Sequence, residues 1–193
     1  MVYPVVVYGH PVLRKVSREI PEGQTGLGDF VRNMFETMYD SEGVGLAAPQ
    51  VGQAVRLFVV DASPFAEDEP GLEDFKKVFI NPQIMERSGE RVPFNEGCLS
   101  IPNIREDVVR EERVRIRYQD PEWRWHEEEY DGIAARVIQH EYDHLEGILF
   151  TDLLPPLRKK LLASKLRAIS KGRFKASYRT VLPGQRVPEI LGV

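Results

Sequence analysis

The five residues from His140 to His144, with the sequence HEYDH, combine residue types and spacing that suit metal-assisted hydrolysis. In a helix, side chains four residues apart project from the same face, so His140 and His144 can bind one divalent metal ion. Glu141 lies between them and can reach a water molecule that the metal activates. The spacing therefore predicts hydrolysis of a carbonyl compound.

The residues before this motif favour a helix whose histidines point into the protein. Ile133, Val137, His140 and His144 follow one helical stripe, at i, i+4, i+7 and i+11. A surface helix that carries two histidines by chance is the alternative, but an apolar stripe that continues into the histidines argues against it. Two inward-facing imidazoles need partners, and a metal supplies one.

A catalytic metal commonly has three protein ligands and one open position, so a third ligand is needed. The extended pattern H-E-x-x-H-x-x-G-x-x-H would supply a third histidine, but Phe150 stands at its last position. A glutamate on a following helix is another common third ligand, but Glu189 lies in a proline-containing segment, which is a poor platform. Cys98 is the remaining soft candidate, since a thiolate and two imidazoles suit iron or zinc. Taken alone, it could be a small buried hydrophobic residue. His10 and His126 are weaker candidates for the third ligand, because neither shares a helical face with another histidine.

Composition excludes several other classes of function. The 193 residues suggest one domain, and 42% hydrophobic and 29% charged residues are typical of an ordinary globular protein. A net charge of -4 gives no electrostatic footprint for nucleic acid. No apolar run reaches the length of a membrane span, and the N-terminus lacks the features of a signal peptide. One cysteine cannot form an internal disulfide, which fits a reducing cytoplasm.

The hydrophobic pattern predicts an α+β fold, because helices are mixed with scattered short strands. Glycine, proline and capping residues delimit these elements. We expect helices over about 26–40, 131–145 and 156–170, with Asp131 as the N-cap of the second helix and Gly147 closing it. We expect strands over 55–60, 78–80, 84–94 and 113–118, with Asn81-Pro82 ending the second of them.

The same pattern predicts the domain organisation. Residues 1–170 should form a single catalytic domain. Residues 63–77 are acidic and carry two prolines, which indicates an exposed loop. Residues 171–193 lack periodicity, so we expect an irregular and partly mobile C-terminal tail.

Three separated segments of the chain together resemble the peptide deformylase family. Residues 43–50 (GVGLAAPQ), 96–100 (EGCLS) and 139–144 (QHEYDH) match its three motifs in the expected order. The resemblance implies removal of the N-formyl group from N-formylmethionine at the start of new polypeptides, which releases formate. It also implies mixed and antiparallel strands packed around a central metal-binding helix, with an additional N-terminal helix and a C-terminal helix.

The resemblance further implies which residues bind the metal. Cys98, His140 and His144 should hold one divalent ion, natively Fe²⁺, with Zn²⁺, Ni²⁺ or Co²⁺ able to replace it. Glu141 is then expected to take a proton from the attacking water and pass it to the leaving amine. A role for Glu141 as a simple hydrogen-bond partner is the alternative.

Donors and pocket residues are also implied by the resemblance. The Gln50 side chain and the Leu99 backbone N–H should donate to the formyl oxygen. An extended peptide could pair with the glycine-rich loop, and apolar side chains should receive methionine, with Arg136 at the pocket mouth. For Phe94 and Ile133, plain core packing is the alternative. The expected substrate-binding residues are Gly43, Val44, Gly45, Phe94, Glu96, Gly97, Ile133, Arg136 and Val137.

Two further polar residues lie in the third motif. Gln139 and Asp143 are candidates to accept a hydrogen bond from the far nitrogen of a ligating histidine, which would fix its tautomer. Two rival functions stay open, namely a metallopeptidase that cleaves internal peptide bonds and a non-catalytic module with a structural metal.

Overall fold

The computed structural model describes residues 1–192, in which the chain forms strands, α-helices and short 3₁₀ segments. The strands are β1 (Val5–Val6), β2 (Gly45–Ala47), β3 (Leu57–Asp61), β4 (Lys76–Cys98), β5 (Ile101–Gln119), β6 (Trp125–Tyr130) and β7 (Thr180–Val181). The α-helices are α1 (Leu27–Asp40), α2 (Gly132–Leu145) and α3 (Pro156–Ser170). The 3₁₀ segments are Pro11–Arg14, Ala48–Val51, Ser63–Phe65, Pro70–Leu72 and Phe150–Leu153.

The main sheet is antiparallel and has five strands in the order β2-β3-β4-β5-β6. The strands β1 and β7 form a separate parallel pair, which brings the segment after α3 back to the start of the chain. The predicted α+β class, the mixture of strand directions and the three helices are thereby confirmed.

The long β4–β5 hairpin differs from the predicted short strands. Asn81 and Pro82 do not end a strand but lie within β4, at an irregularity in its pairing with β5. Asn81 adopts a positive φ of 49°, and its side chain bonds both the N–H and the carbonyl of Ile20. Asparagine tolerates this conformation and proline lacks a ladder donor, so both suit a bulge rather than a regular pair.

Helix α2 packs against β2, β3 and β5, and most of its residues are buried, including polar ones. Asp131 occupies the predicted N-cap position, but its side chain makes no capping hydrogen bond. The Glu69 carboxylate caps the helix instead, with its oxygens 3.2 and 3.3 Å from the Ile133 N–H. Gly147 follows the helix at φ +71°, as expected for a closing glycine.

The segment after α3 has little regular structure but many contacts with the body of the protein. Leu191 is buried in the apolar cluster that contains Phe30 of α1. Gln53 donates to the Pro188 carbonyl and accepts from the Ile190 N–H. Among the helices of residues 1–192, none has both the length and the apolar character needed to cross a membrane.

Candidate metal centre and active-site cleft

Three potential metal ligands converge where the end of β4 meets α2. Candidate ligand atoms of Cys98, His140 and His144 all lie within 4.8 Å of one another. The Cys98 Sγ is 3.3 Å from Nε2 of His144, and both histidines are buried. The strand β5 pairs with β4 and also packs against α2. This packing brings Cys98 at the end of β4 next to the two histidines of α2.

The donor atoms of this group fit a divalent metal ion. Nδ1 of His140 lies 3.0 Å from Oε2 of Glu96, so this nitrogen carries the proton. Nε2 therefore keeps a lone pair that can bind a metal. One thiolate and two neutral imidazoles form a set that suits iron or zinc. The chain therefore carries a potential metal-binding group of one sulfur and two nitrogen atoms.

Glu96 is the centre of a buried charge network beneath His140. Arg110 donates to both Glu96 oxygens, at 2.7 and 3.1 Å, and Arg136 donates to Oε1 at 3.1 Å. Burial alone would raise the pKa of Glu96, but the hydrogen bonds from His140 and Arg110 prevail and lower it to about 2. Glu96 is therefore a charged acceptor that holds the His140 ring in place.

The expected role of Gln139 and Asp143 as partners of the ligating histidines was wrong. The Gln139 amide donates to the Glu111 carbonyl at 2.9 Å, and Asp143 accepts from Arg110 at 2.6 Å. Glu96 takes the predicted position at His140, which it reaches from β4, whereas Nδ1 of His144 has no hydrogen-bond partner among residues 1–192. A partner from a distant strand leaves no spacing signal in the sequence.

Glu141 faces the same centre with an unsatisfied carboxylate oxygen. The residue is buried, and its Oε2 has no hydrogen-bond partner among residues 1–192. Burial raises the pKa of Glu141 to about 7, while the charges of His140 and Glu96 act in opposite directions. A buried, unpaired carboxylate is costly, and such groups mark functional sites. Glu141 therefore offers the cleft a carboxylate oxygen that no other described residue occupies.

Gly45 packs directly against Glu141. A Cβ atom built at Gly45 would lie 2.5 Å from Oε1 and 2.8 Å from Cδ of Glu141. These distances are shorter than any stable contact, so a larger residue would displace the carboxylate. The glycine thus leaves space for the glutamate.

Two residues next to Cys98 can donate hydrogen bonds. The Oε1 of Gln50 accepts from the Ala47 N–H at 2.8 Å, which turns its Nε2 toward Cys98 Sγ at 3.4 Å and Ser100 Oγ at 3.3 Å. Leu99 lies in the two-residue turn between β4 and β5. Both residues are therefore placed next to the candidate ligand Cys98.

A cleft of about 590 Å³ opens over this group. This volume is within the range of sites for small molecules and peptide side chains. The cleft is lined by Gln50, Cys98, Leu99, His140 and Glu141, together with the expected substrate-binding residues Gly43, Val44, Gly45, Phe94, Glu96, Gly97, Arg136 and Val137.

Two expected pocket residues differ from the others. Ile133 is absent from the cleft lining and is half-buried in the apolar cluster that contains Val137, so its role in substrate binding stays a prediction. Arg136 was expected at the pocket mouth but is buried. Its guanidinium donates to Glu96 and to the carbonyls of Val92 and Val108, which fixes it inside the protein.

Several residues that line the cleft were missed in the sequence. Phe65 comes from the acidic loop, and the ranges 101–105 and 175–178 come from β5 and from the segment after α3. An aromatic residue in an acidic loop was a signal that could have pointed to Phe65. The segment after α3 carries no motif or periodicity, so its place at the cleft follows only from the tertiary fold.

The comparisons with known proteins agree with this geometry. The model of the family described as polypeptide deformylase matches residues 2–160. The chain belongs to this family. It is 51% identical over 193 residues to the peptide deformylase of Christiangramia forsetii, covering 96% of this chain and 98% of that protein. It is 52% identical over 183 residues to the peptide deformylase of Cytophaga hutchinsonii, an alignment that covers 95% of this chain and 98% of that protein.

Solved deformylase structures have the same fold. The peptide deformylase of Legionella pneumophila aligns with a TM-score of 0.78 at 34% identity, covering 90% of this chain and 98% of that one. The peptide deformylase of Thermotoga maritima aligns with a TM-score of 0.73 at 40% identity, and the alignment covers 81% of this chain and 99% of that one. Members of this family remove the N-formyl group from new polypeptides with the help of a metal, and this chain is such a hydrolase.

Proposed function

We propose that Cys98, His140 and His144 hold one divalent ion, natively Fe²⁺, and that Glu141 performs the proton transfers of deformylation. The main support is the convergence of three ligand atoms beside a buried carboxylate with an unpaired oxygen. Zn²⁺, Ni²⁺ and Co²⁺ suit the same donor set. We place the enzyme in the cytoplasm, where its substrate is the formylmethionyl end of a nascent chain, without direct contact to nucleic acid.

The metal supplies Lewis acidity, which lowers the pKa of water and polarises a carbonyl group. Glu141 accepts a proton from the attacking water as the water oxygen bonds to the formyl carbon. It then donates this proton to the amine nitrogen as the C–N bond breaks, so that formate and a free amino terminus are released. The raised pKa of Glu141 suits a group that must both accept and donate.

Gln50 and Leu99 stabilise the negative charge that develops on the formyl oxygen. The Gln50 side chain is held by Ala47, so its N–H groups are oriented before the substrate binds. The Leu99 N–H lies next to Cys98 in a tight turn. Preorganised donors of this kind lower a barrier because they need no rearrangement during the reaction.

The peptide lies along β2 and its first side chain enters the apolar part of the cleft. The strand β2 is at an edge of the five-stranded sheet, so its unpaired backbone groups can accept an added strand. Val44, Val137 and Phe94 line the cleft and offer apolar surface for methionine. The small residues Gly43 and Gly45 let the peptide backbone approach closely.

Formate release from formyl-Met-Ala-Ser by the parent and by Glu141→Gln tests this function. We expect turnover to fall by about 10²–10⁴-fold in the variant while its metal content stays equal to that of the parent. Glu129→Gln, which changes an exposed glutamate on β6, is the control. Parent turnover in Glu141→Gln would support the structural-metal alternative, and cleavage inside a longer peptide would support the peptidase.

A further inference from the structure

The turn that carries Leu99 is held by contacts from three distant parts of the chain. The Tyr8 N–H donates to the Ser100 carbonyl at 2.8 Å, and Gln50 donates to the Ser100 hydroxyl at 3.3 Å. The Tyr178 hydroxyl donates to the Leu99 carbonyl at 2.7 Å. Tyr178 also lines the cleft with its half-buried side chain. The turn is thus fixed from both ends of the described chain.

The segment that carries this tyrosine, here called the C-terminal strap (residues 175–181), is itself fixed on both sides. The Lys175 carbonyl accepts from the Asn103 side chain at 2.9 Å. The Arg179 carbonyl accepts from the Val5 N–H at 2.8 Å, where β7 begins to pair with β1. The tyrosine therefore reaches the turn from an anchored backbone.

We infer that Tyr178 is a positioning residue for deformylation, which acts by holding the backbone of Leu99 so that its N–H points at the formyl oxygen. The inference rests on the proposed role of that N–H as an oxyanion donor. The Leu99 N–H and carbonyl flank the same Cα, and only two torsions per residue are free to turn. The carbonyl lies in the peptide plane after the Leu99 Cα and the N–H in the plane before it. The bond from Tyr178 holds the first plane and the pairing of Cys98 with Ile101 holds the second, so together they restrain both torsions.

A positioning role and a purely structural role differ in the step that they affect. If the strap only added stability, removing the tyrosine hydroxyl would lower the melting temperature and leave the rate constants unchanged. If it aims the oxyanion donor, the loss falls on the transition state, where the charge on the formyl oxygen develops. Such a loss lowers kcat and kcat/KM together and leaves KM unchanged.

Tyr178→Phe separates the two roles, because it removes the hydroxyl and keeps the ring that lines the cleft. We expect kcat for formyl-Met-Ala-Ser to fall by roughly three- to tenfold, the effect of one hydrogen bond, with KM within about twofold of the parent. Metal content should equal that of the parent. Tyr118→Phe is the matched control, since it loses a buried hydroxyl that donates to Glu128 at 2.6 Å. It should lower the melting temperature without lowering kcat.

Amide hydrogen exchange of the metal-loaded protein provides a second readout that does not depend on activity. We expect faster exchange in Tyr178→Phe at Tyr8, whose N–H donates to the Ser100 carbonyl of the turn, and parent rates at Val114 in the middle of the sheet. An unchanged kcat in Tyr178→Phe would overturn the inference. If the parent releases no formate, the proposed function fails, whereas exchange at Tyr8 still tests whether Tyr178 holds the turn.

Discussion

Glu96 on β4 accepts a hydrogen bond from Nδ1 of His140 on α2 across 3.0 Å. This contact joins two of the three sequence motifs and selects the ring nitrogen that remains free to bind a metal. Arg110 and Arg136 in turn hold Glu96, so the orientation of one imidazole depends on charges from β5 and α2.

We expect Glu96→Gln to weaken metal binding by about 10–100-fold, because the amide is a poorer acceptor and leaves Arg110 without its charged partner. Competition of the zinc form with a chelator measures the affinity. Glu106→Gln is the control, since Glu106 lies on the same hairpin but pairs with Arg158. Equal zinc affinity in the parent and Glu96→Gln would contradict this role.

Gly45→Ala should impair catalysis through Glu141. The added methyl group would occupy the position of the carboxylate, and a displacement of about 1 Å at a reacting group can cost about 10²-fold in rate. Measurement of kcat at constant metal content checks this expectation. Gly71→Ala is the control, because a Cβ there meets no atom within 4 Å. Full activity of Gly45→Ala would show that Glu141 has more freedom than its packing implies.

The acidic loop stabilises the motif helix through Glu69. Replacing this residue with alanine leaves the Ile133 N–H without its acceptor, so we expect a loss of about 0.5–2 kcal/mol in the free energy of unfolding. Urea denaturation measures the loss. The exposed Glu67 in the same loop provides a control, Glu67→Ala, which should change stability little. Equal stability of both variants would argue against the cap.

Lowering the pH should reduce the contribution of Glu128 to the free energy of unfolding. Burial alone would raise the pKa of this carboxyl, but hydrogen bonds from Lys77, Tyr118 and Tyr130 lower it from 4.5 to about 2. Because the folded pKa is depressed, its contribution to stability is present above about pH 4.5 and is lost as the pH falls toward 2. The difference in unfolding free energy between the parent and Glu128→Gln should therefore shrink from about pH 6 to about pH 3. A constant difference would contradict the assignment.

Local patterns were sufficient for the features that depend on neighbouring residues. The helical stripe before His140 predicted α2, and the leucine stripe of 156–170 predicted α3. The single cysteine could be proposed as a ligand because few soft donors exist in the chain, and the structure brings Cys98 to the histidines. These predictions needed only spacing and residue chemistry.

Contacts between distant segments were not predictable in this way. Glu96 reaches His140, Glu69 caps α2 and Tyr178 bonds Leu99, each across many residues of sequence. Asn81 illustrates the same limit, because its positive φ is stabilised by Ile20 rather than by its neighbours. A polar residue reveals its partner only once the tertiary fold has placed both.

The pairing of β1 with β7 has a consequence for how the enzyme is made. A ribosome synthesises Val5 early but Thr180 only after all three motifs have been translated. A polypeptide that stopped after α3 would already contain the two histidines and the cysteine, yet β1 would have no partner and Leu99 would lack its tyrosine. Newly synthesised molecules should therefore acquire their ligand set before they acquire full turnover, a delay that translation itself imposes.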